Sequence, residues 1–105
     1  MASPAVSCTP ASPFAVKSAC LIECSDVPLN DANAYDATKY PTEPELRYRF
    51  VASKSGSDDL VSELFAPNGG AHQWFNVQFP SAGSWALDLR DESDSQVATA
   101  SVTVQ

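Results

Sequence analysis

An all-β fold, a sandwich or barrel of antiparallel strands, is what the sequence predicts. Three observations predict it. Turn signals recur about every eight to twelve residues through the second half of the chain. Between them, apolar and polar residues alternate with the period-two rhythm of a strand that has one wet face. Val, Phe and Trp lean towards this region, whereas six of the eight prolines stand in the first half, where loops prefer them.

The clearest element is the final hairpin. Trp85, Leu87 and Leu89 alternate onto one face of a strand over 84–90. Asp91 to Ser95 make a polar turn, and 96–105 return with Ala98, Ala100, Val102 and Val104 on one side. Before it, His72 to Phe79 read as a strand with Phe75, Val77 and Phe79 as its core side. His72, Trp74, Asn76 and Gln78 then face outward. Pro67-Asn68-Gly69-Gly70 and Pro80-Ser81-Ala82-Gly83 flank it as turns, since Asn and Gly tolerate positive φ.

Residues 46–53 alternate cleanly, with Leu46, Tyr48, Phe50 and Ala52 inward and Arg47, Arg49 and Ser53 outward. Lys54 to Asp59 turn the chain into a strand over 60–66. There, Leu60 and Leu64 oppose Val61 and Phe65. Residues 14–24 read as the first strand, with Val16, Cys20, Ile22 and Cys24 on one face and Lys17 and Glu23 on the other. These are six strands. A seventh is expected in the Asp- and Asn-rich stretch 25–45, near 34–39, because a structureless loop of that length is uncommon in a compact domain. Residues 1–13, with Pro4, Pro10 and Pro13 and no charge, read as an extended arm outside a single domain spanning 14–105.

Charge and composition narrow the function. Six basic residues stand against thirteen acidic ones, a net charge of −7. Nucleic-acid binding needs clustered Lys and Arg, so no nucleic acid is expected as partner. An anionic membrane surface is disfavoured for the same reason, and no apolar run approaches the ~20 residues of a spanning helix. The first residues lack the positive and apolar regions of a signal peptide, which points to synthesis in a cytoplasm.

Chemistry has little to work with. His72 is the only histidine, which leaves a nucleophile–base–acid triad without much support and a zinc site short of ligands. No catalytic, cofactor or metal residues are assigned. Asp31, Asn33 and Asp36 offer oxygen ligands in a short span. They lack the glycine and closing glutamate of a calcium loop, and an acidic turn is the simpler reading. The acidic pairs Asp58-Asp59 and Asp91-Glu92 lie in turns and read as solvated. Cys8, Cys20 and Cys24 make an odd count. On one strand Cys20 and Cys24 lie ~13 Å apart, too far to bridge. Pairing of Cys8 with either stays open beside three unpaired thiols.

The run from about 46 to 105 resembles bacterial and phage immunoglobulin-like domains. The resemblance is carried by Leu46-x-Tyr48-x-Phe50, by Phe79-Pro80-x-x-Gly83-x-Trp85-x-Leu87-x-Leu89, and by Val102-Thr103-Val104. The core cysteine pair and strand tryptophan of antibody domains are not at recognisable spacing. The resemblance implies an immunoglobulin-like antiparallel β-sandwich of about seven strands. A small acidic domain of this kind with an N-terminal arm is also similar to capsid decoration proteins of tailed phages.

That likeness implies a structural virion protein, made in the host cytoplasm and located on the capsid surface. It would cement the shell by binding the major capsid protein or another virion protein, itself as a monomer or a homo-oligomer such as a trimer. Contacts are expected from Pro4, Val6, Pro10, Pro13 and Phe14 of the arm, from Tyr35 and Tyr40, and from Trp74 as a partly exposed aromatic. The alternative is a carbohydrate-binding or adhesion module that stacks sugars on Trp74, Tyr35 and Tyr40.

Overall fold

The computed structural model describes residues 3–11, 13–29, 46–67 and 71–105. Seven strands follow in chain order: β1 (Ala5–Thr9), β2 (Cys20–Ser25), β3 (Tyr48–Ser53), β4 (Leu60–Val61), β5 (His72–Val77), β6 (Gly83–Asp91) and β7 (Gln96–Val104). They form a three-stranded sheet, β1-β2-β5, and a four-stranded sheet, β4-β3-β6-β7, with all strand pairs antiparallel. The chain is therefore an all-β, sandwich-like protein, with no helix among the described residues. None of these residues forms a helix long and apolar enough to cross a membrane.

The core lies between the sheets. Cys20, Ile22, Cys24 and Val77 from one meet Tyr48, Phe50, Ala52, Trp85, Leu87 and Leu89 from the other. Trp85 is fully buried, and its indole N–H donates to the Ser81 carbonyl at 3.0 Å. Its ring meets Phe79 edge-on at 5.3 Å, the arrangement that the aromatic quadrupole favours. Gly83 opens β6 at φ +131, a conformation few side chains accept, and a Cβ there would lie 2.8 Å from Lys54 Cε. The Lys54 ammonium crosses this gap to donate to Ser81 Oγ and the Ala82 carbonyl. The Gly-x-Trp run is thus the point where a lysine passes over the backbone.

The final hairpin and the inward set Tyr48, Phe50 and Ala52 stand as the alternation predicts. Leu46 does not. It precedes the first β3 pairing and is 38% exposed.

The N-terminal arm needs the largest correction. Ala5–Thr9 pair with Ser25–Leu21 of β2, and Val6 is buried. Five residues bounded by Pro4 and Pro10 are too short to show a period, yet Val6 and Cys8 alternate onto the core. The chain then leaves the sheet at Pro10, whose ring has no N–H to offer the ladder; the Thr9–Pro10 peptide is cis. Phe14 rejoins the other sheet by a parallel bridge to Val104, donating to the Thr103 carbonyl and accepting from Gln105 N–H.

The strand expected over 14–24 therefore starts only at Cys20. A turn closed by Ser18 N–H on the Ala15 carbonyl, with Lys17 at φ 66, separates the two pieces. Thus β1 is the seventh described strand. The strand expected near 34–39 lies outside the described residues, as do Tyr35, Tyr40 and the Asp31–Asp36 stretch.

Candidate binding groove

The two sheets end, on one side, at β4 and β5. Both of these edges carry a bulge, and each bulge turns an aromatic ring inward. In β5, Ile22 faces Trp74 but Cys20 faces Val77, so β5 holds one residue more than β2 across this step. Asn76 takes it up at φ 57, a left-handed conformation that asparagine tolerates better than most residues. Side-chain parity inverts there. Val77 and Phe79 are buried as expected, but Phe75 points out at 63% exposure and Trp74 is half-buried against the core. The expectation that Phe75 is core and Trp74 outward is overturned, because strict alternation holds only along an unbulged strand.

The other edge behaves alike. Val51 faces Val61, whereas Tyr48 bridges Phe65, so the chain gains one residue between 61 and 65. Ser62 fills the irregularity. Its backbone N–H donates to the Phe50 carbonyl at 2.9 Å, and its hydroxyl accepts the Phe50 N–H at 2.8 Å. The strand expected over 60–66 thus shortens to two residues. Leu64 turns outward and Phe65 turns in.

Between these edges lies a groove of about 400 Å³, lined by Phe50, Ser62, Leu64, Phe65, His72 and Trp74 with Glu63 and Gln73 at hand. Its rings are stacked. Phe65 and His72 lie 4.0 Å apart with planes 10° from parallel, Phe50 and Phe65 lie 5.0 Å apart, and Phe50 and Trp74 lie 6.0 Å apart at 6°. Partial burial against Phe65 lowers the His72 pKa from its usual value, which favours the neutral ring in this stack although His72 keeps an exposed edge.

Outside the groove, Phe75 and Val61 add exposed apolar surface, and Leu64 on its wall is exposed as well. No Lys, Arg, Asp or Glu occurs from 72 to 79, and among the described residues β5 ends its sheet, an edge of the kind that another strand can join. The only described side-chain hydrogen bond with an acid here is Gln73 to Glu23, at 3.1 Å. Such a place suits a flat apolar group or an extended chain. Ser62 Oγ is engaged by Phe50 N–H and donates to the Glu63 carbonyl at 3.1 Å.

Of the residues expected to touch a partner, Trp74 is the one that lines this groove among the described residues, Tyr35 and Tyr40 lying outside them. Val6 and Phe14 are each 7% exposed and belong to the core, so they are not surface contacts. Pro4 is half-buried, and Pro10 and Pro13 are exposed on the chain between β1 and Phe14. Phe65 and Phe75 were missed by face assignment, and no simple sequence signal marks the bulges beyond Asn76 and Ser62 themselves.

A second hollow of about 430 Å³ lies at the end of the molecule where Pro28, Leu46 and Tyr48 meet the β6–β7 turn. There the Tyr48 hydroxyl donates to the Pro28 carbonyl, and Arg47 Nε lies 3.8 Å from Glu92. On the outer face of the four-stranded sheet, Asp88 is buried between partners. It accepts from Thr99 Oγ1 and Arg90 Nη2, both at 2.9 Å, while Arg90 Nη1 also reaches Asp94. This network fastens β6 to β7. Among the described residues no group of three or more acidic, cysteine or histidine side chains is placed to hold a metal ion. No family model, no curated protein and no solved structure matches the chain.

Proposed function

We propose that this chain is a protein-binding domain that docks through the β5 edge and its aromatic groove. The observation that carries the reading is the uncharged strand β5, which ends its sheet among the described residues, with Phe75 turned outward beside stacked rings. Edge strands of stable monomers are commonly guarded by charge or proline, and β5 has neither. A partner strand laid along β5 gains main-chain hydrogen bonds, and its side chains fit the groove and cover Phe75.

The strand order supports an immunoglobulin-like arrangement. Three strands, β1-β2-β5, oppose four, β4-β3-β6-β7, and the N-terminal segment crosses from one sheet to the other between Thr9 and Phe14. Together with the acidic composition, this arrangement favours a structural protein of a virion that decorates an assembled capsid. The partner is then a shell protein. Many modest edge contacts become strong attachment when a symmetric surface offers them repeatedly and the decorating units are themselves linked.

The test is co-sedimentation of the protein with assembled particles from its native source, beside Phe75→Lys. Wild type is expected to travel with particles at a fixed copy number, and the variant is expected to be lost from them while still folded. Retention of Phe75→Lys at full occupancy argues against the β5 edge. If neither protein sediments with particles but both bind a glycan array through Trp74, the carbohydrate module replaces this reading.

A further inference from the structure

We propose that the outer face of the four-stranded sheet is a second docking surface, on which the Arg49 guanidinium takes a carboxylate from an acidic segment of a protein partner. The proposal does not depend on the β5 edge.

Strand parity builds the surface. Tyr48, Phe50 and Ala52 of β3 enter the core, so Arg49 and Val51 face away from the three-stranded sheet. Val51 is 4% exposed yet stands apart from the core cluster, and Val61, opposite it on β4, is 51% exposed. These two give the face an apolar floor. Across β6, Arg49 stands opposite Arg90 and Val51 opposite Asp88. Like charges directly opposite each other repel. The nearby acids relieve Arg90 but not Arg49. Asp88 is engaged by Thr99 and Arg90, Asp94 by Arg90, Asp91 Oδ1 by the Ser93 and Ser95 N–H groups, and Glu92 lies 3.8 Å from Arg47. Among the described residues none of these acids, nor Glu63 beyond β4, forms an ion pair with Arg49. Arg49 Nε is buried without a hydrogen-bond partner, the one buried side-chain nitrogen or oxygen so placed among the described residues. Such orphaned donors are few in native folds. Arg49 as a residue stays partly exposed, so a group arriving on this face meets a guanidinium that no acid has claimed.

The chemistry of the site selects its ligand. A guanidinium presents paired N–H donors whose spacing matches the two oxygens of a carboxylate. A carboxylate above Arg49 also relieves the repulsion from Arg90, since a negative charge then stands beside two positive ones. Val61 is placed to cover an apolar neighbour of that acid, so the fitting segment alternates acidic and apolar residues. Nucleic acid fits worse. The net charge of −7 repels an extended polyanion, and a single arginine displaces few counterions.

The experiment titrates the isotope-labelled full chain with a terminally blocked Val-Glu-Val-Glu peptide and follows its amide resonances at about 20 mM salt, where screening is weak. Saturable shifts are expected at Arg49, Val51, Val61 and Arg90, fading as salt is raised. Arg49→Gln is expected to weaken binding at least about tenfold while the rest of the spectrum keeps its folded pattern. Arg49→Lys keeps the charge but loses the fork, and its binding is expected to weaken several-fold. It decides the question if Arg49→Gln does not fold. Absent or unsaturable shifts, shifts centred on another face, or wild-type affinity in either variant would each overturn the proposal. Tighter binding of tetrathymidylate than of the peptide would overturn it as well, in favour of nucleic acid.

Discussion

Phe50 and Trp74 face each other across the two sheets with ring centroids 6.0 Å apart and planes only 6° from parallel. The contact exists because Asn76 absorbs one extra residue in β5, which turns Trp74 inward and its neighbour Phe75 outward. One backbone irregularity therefore sets both the wall of the groove and the exposed ring beside it.

The two neighbours should respond oppositely to truncation. Trp74→Ala removes a half-buried ring from the stack and should cost roughly 2 kcal/mol, below the ~3–5 of a fully buried tryptophan. Phe75→Ala should stay within about 0.5 kcal/mol, as expected of an exposed position. Urea unfolding of both variants measures this. Equal losses would mean that the parity does not invert at Asn76.

Trp85 is the reference for a fully enclosed ring. Trp85→Ala should cost about 3–5 kcal/mol, since it leaves a cavity beside Phe79 and the Ser81 carbonyl without its donor. Gly83→Ala should cost about 1–3 kcal/mol from strain at positive φ, plus displacement of Lys54. Lys54→Ala combined with Gly83→Ala should recover the steric part of that loss, and a double-mutant cycle reads it as coupling between the two sites.

The N-terminal segment should matter for folding. Deletion of residues 3–9 removes β1 and leaves the β2 edge open, and the buried Val6 side chain alone accounts for about 1.5–3 kcal/mol. Thermal unfolding should shift down by several degrees or more. A truncated protein with unchanged midpoint would show that β1 is dispensable and that the segment is an arm after all.

Acidification should loosen the groove. The His72 pKa is lowered by burial, so the folded state binds its proton less readily than the unfolded chain. The stability tied to neutral His72 is fully present above the unfolded value of about 6.5 and is lost as pH falls through the lower folded value. The difference in unfolding free energy between wild type and His72→Phe should therefore change in the variant's favour on acidification below neutrality. A difference that does not vary with pH would contradict the assignment.

Much of the framework was legible in the residues, because a strand buried on one face writes its period directly into the sequence. Trp85, Leu87 and Leu89, the returning β7 strand, and Tyr48 with Phe50 all follow that rule. The groove was not legible, because it is made by departures from the rule. Asn76 and Ser62 each add a residue at an edge, and from the sequence alone neither differs from an ordinary polar strand residue. The strand β1 was hidden for another reason. Two inward residues, Val6 and Cys8, between prolines carry too little pattern to separate a paired strand from an extended tail. Register also places the thiols. Cys8 faces Ile22, so Cys20 and Cys24 each stand diagonal to it and pairing across β1 and β2 does not separate the two.

Density-gradient sedimentation of a native-source lysate, comparing wild type with Phe75→Lys, tests docking through β5. Wild type should migrate with assembled particles, and Phe75→Lys should stay as a folded protein near the top of the gradient with an unfolding midpoint close to wild type. Wild type migrating as a free small protein, or Phe75→Lys staying fully with the particles, would contradict it.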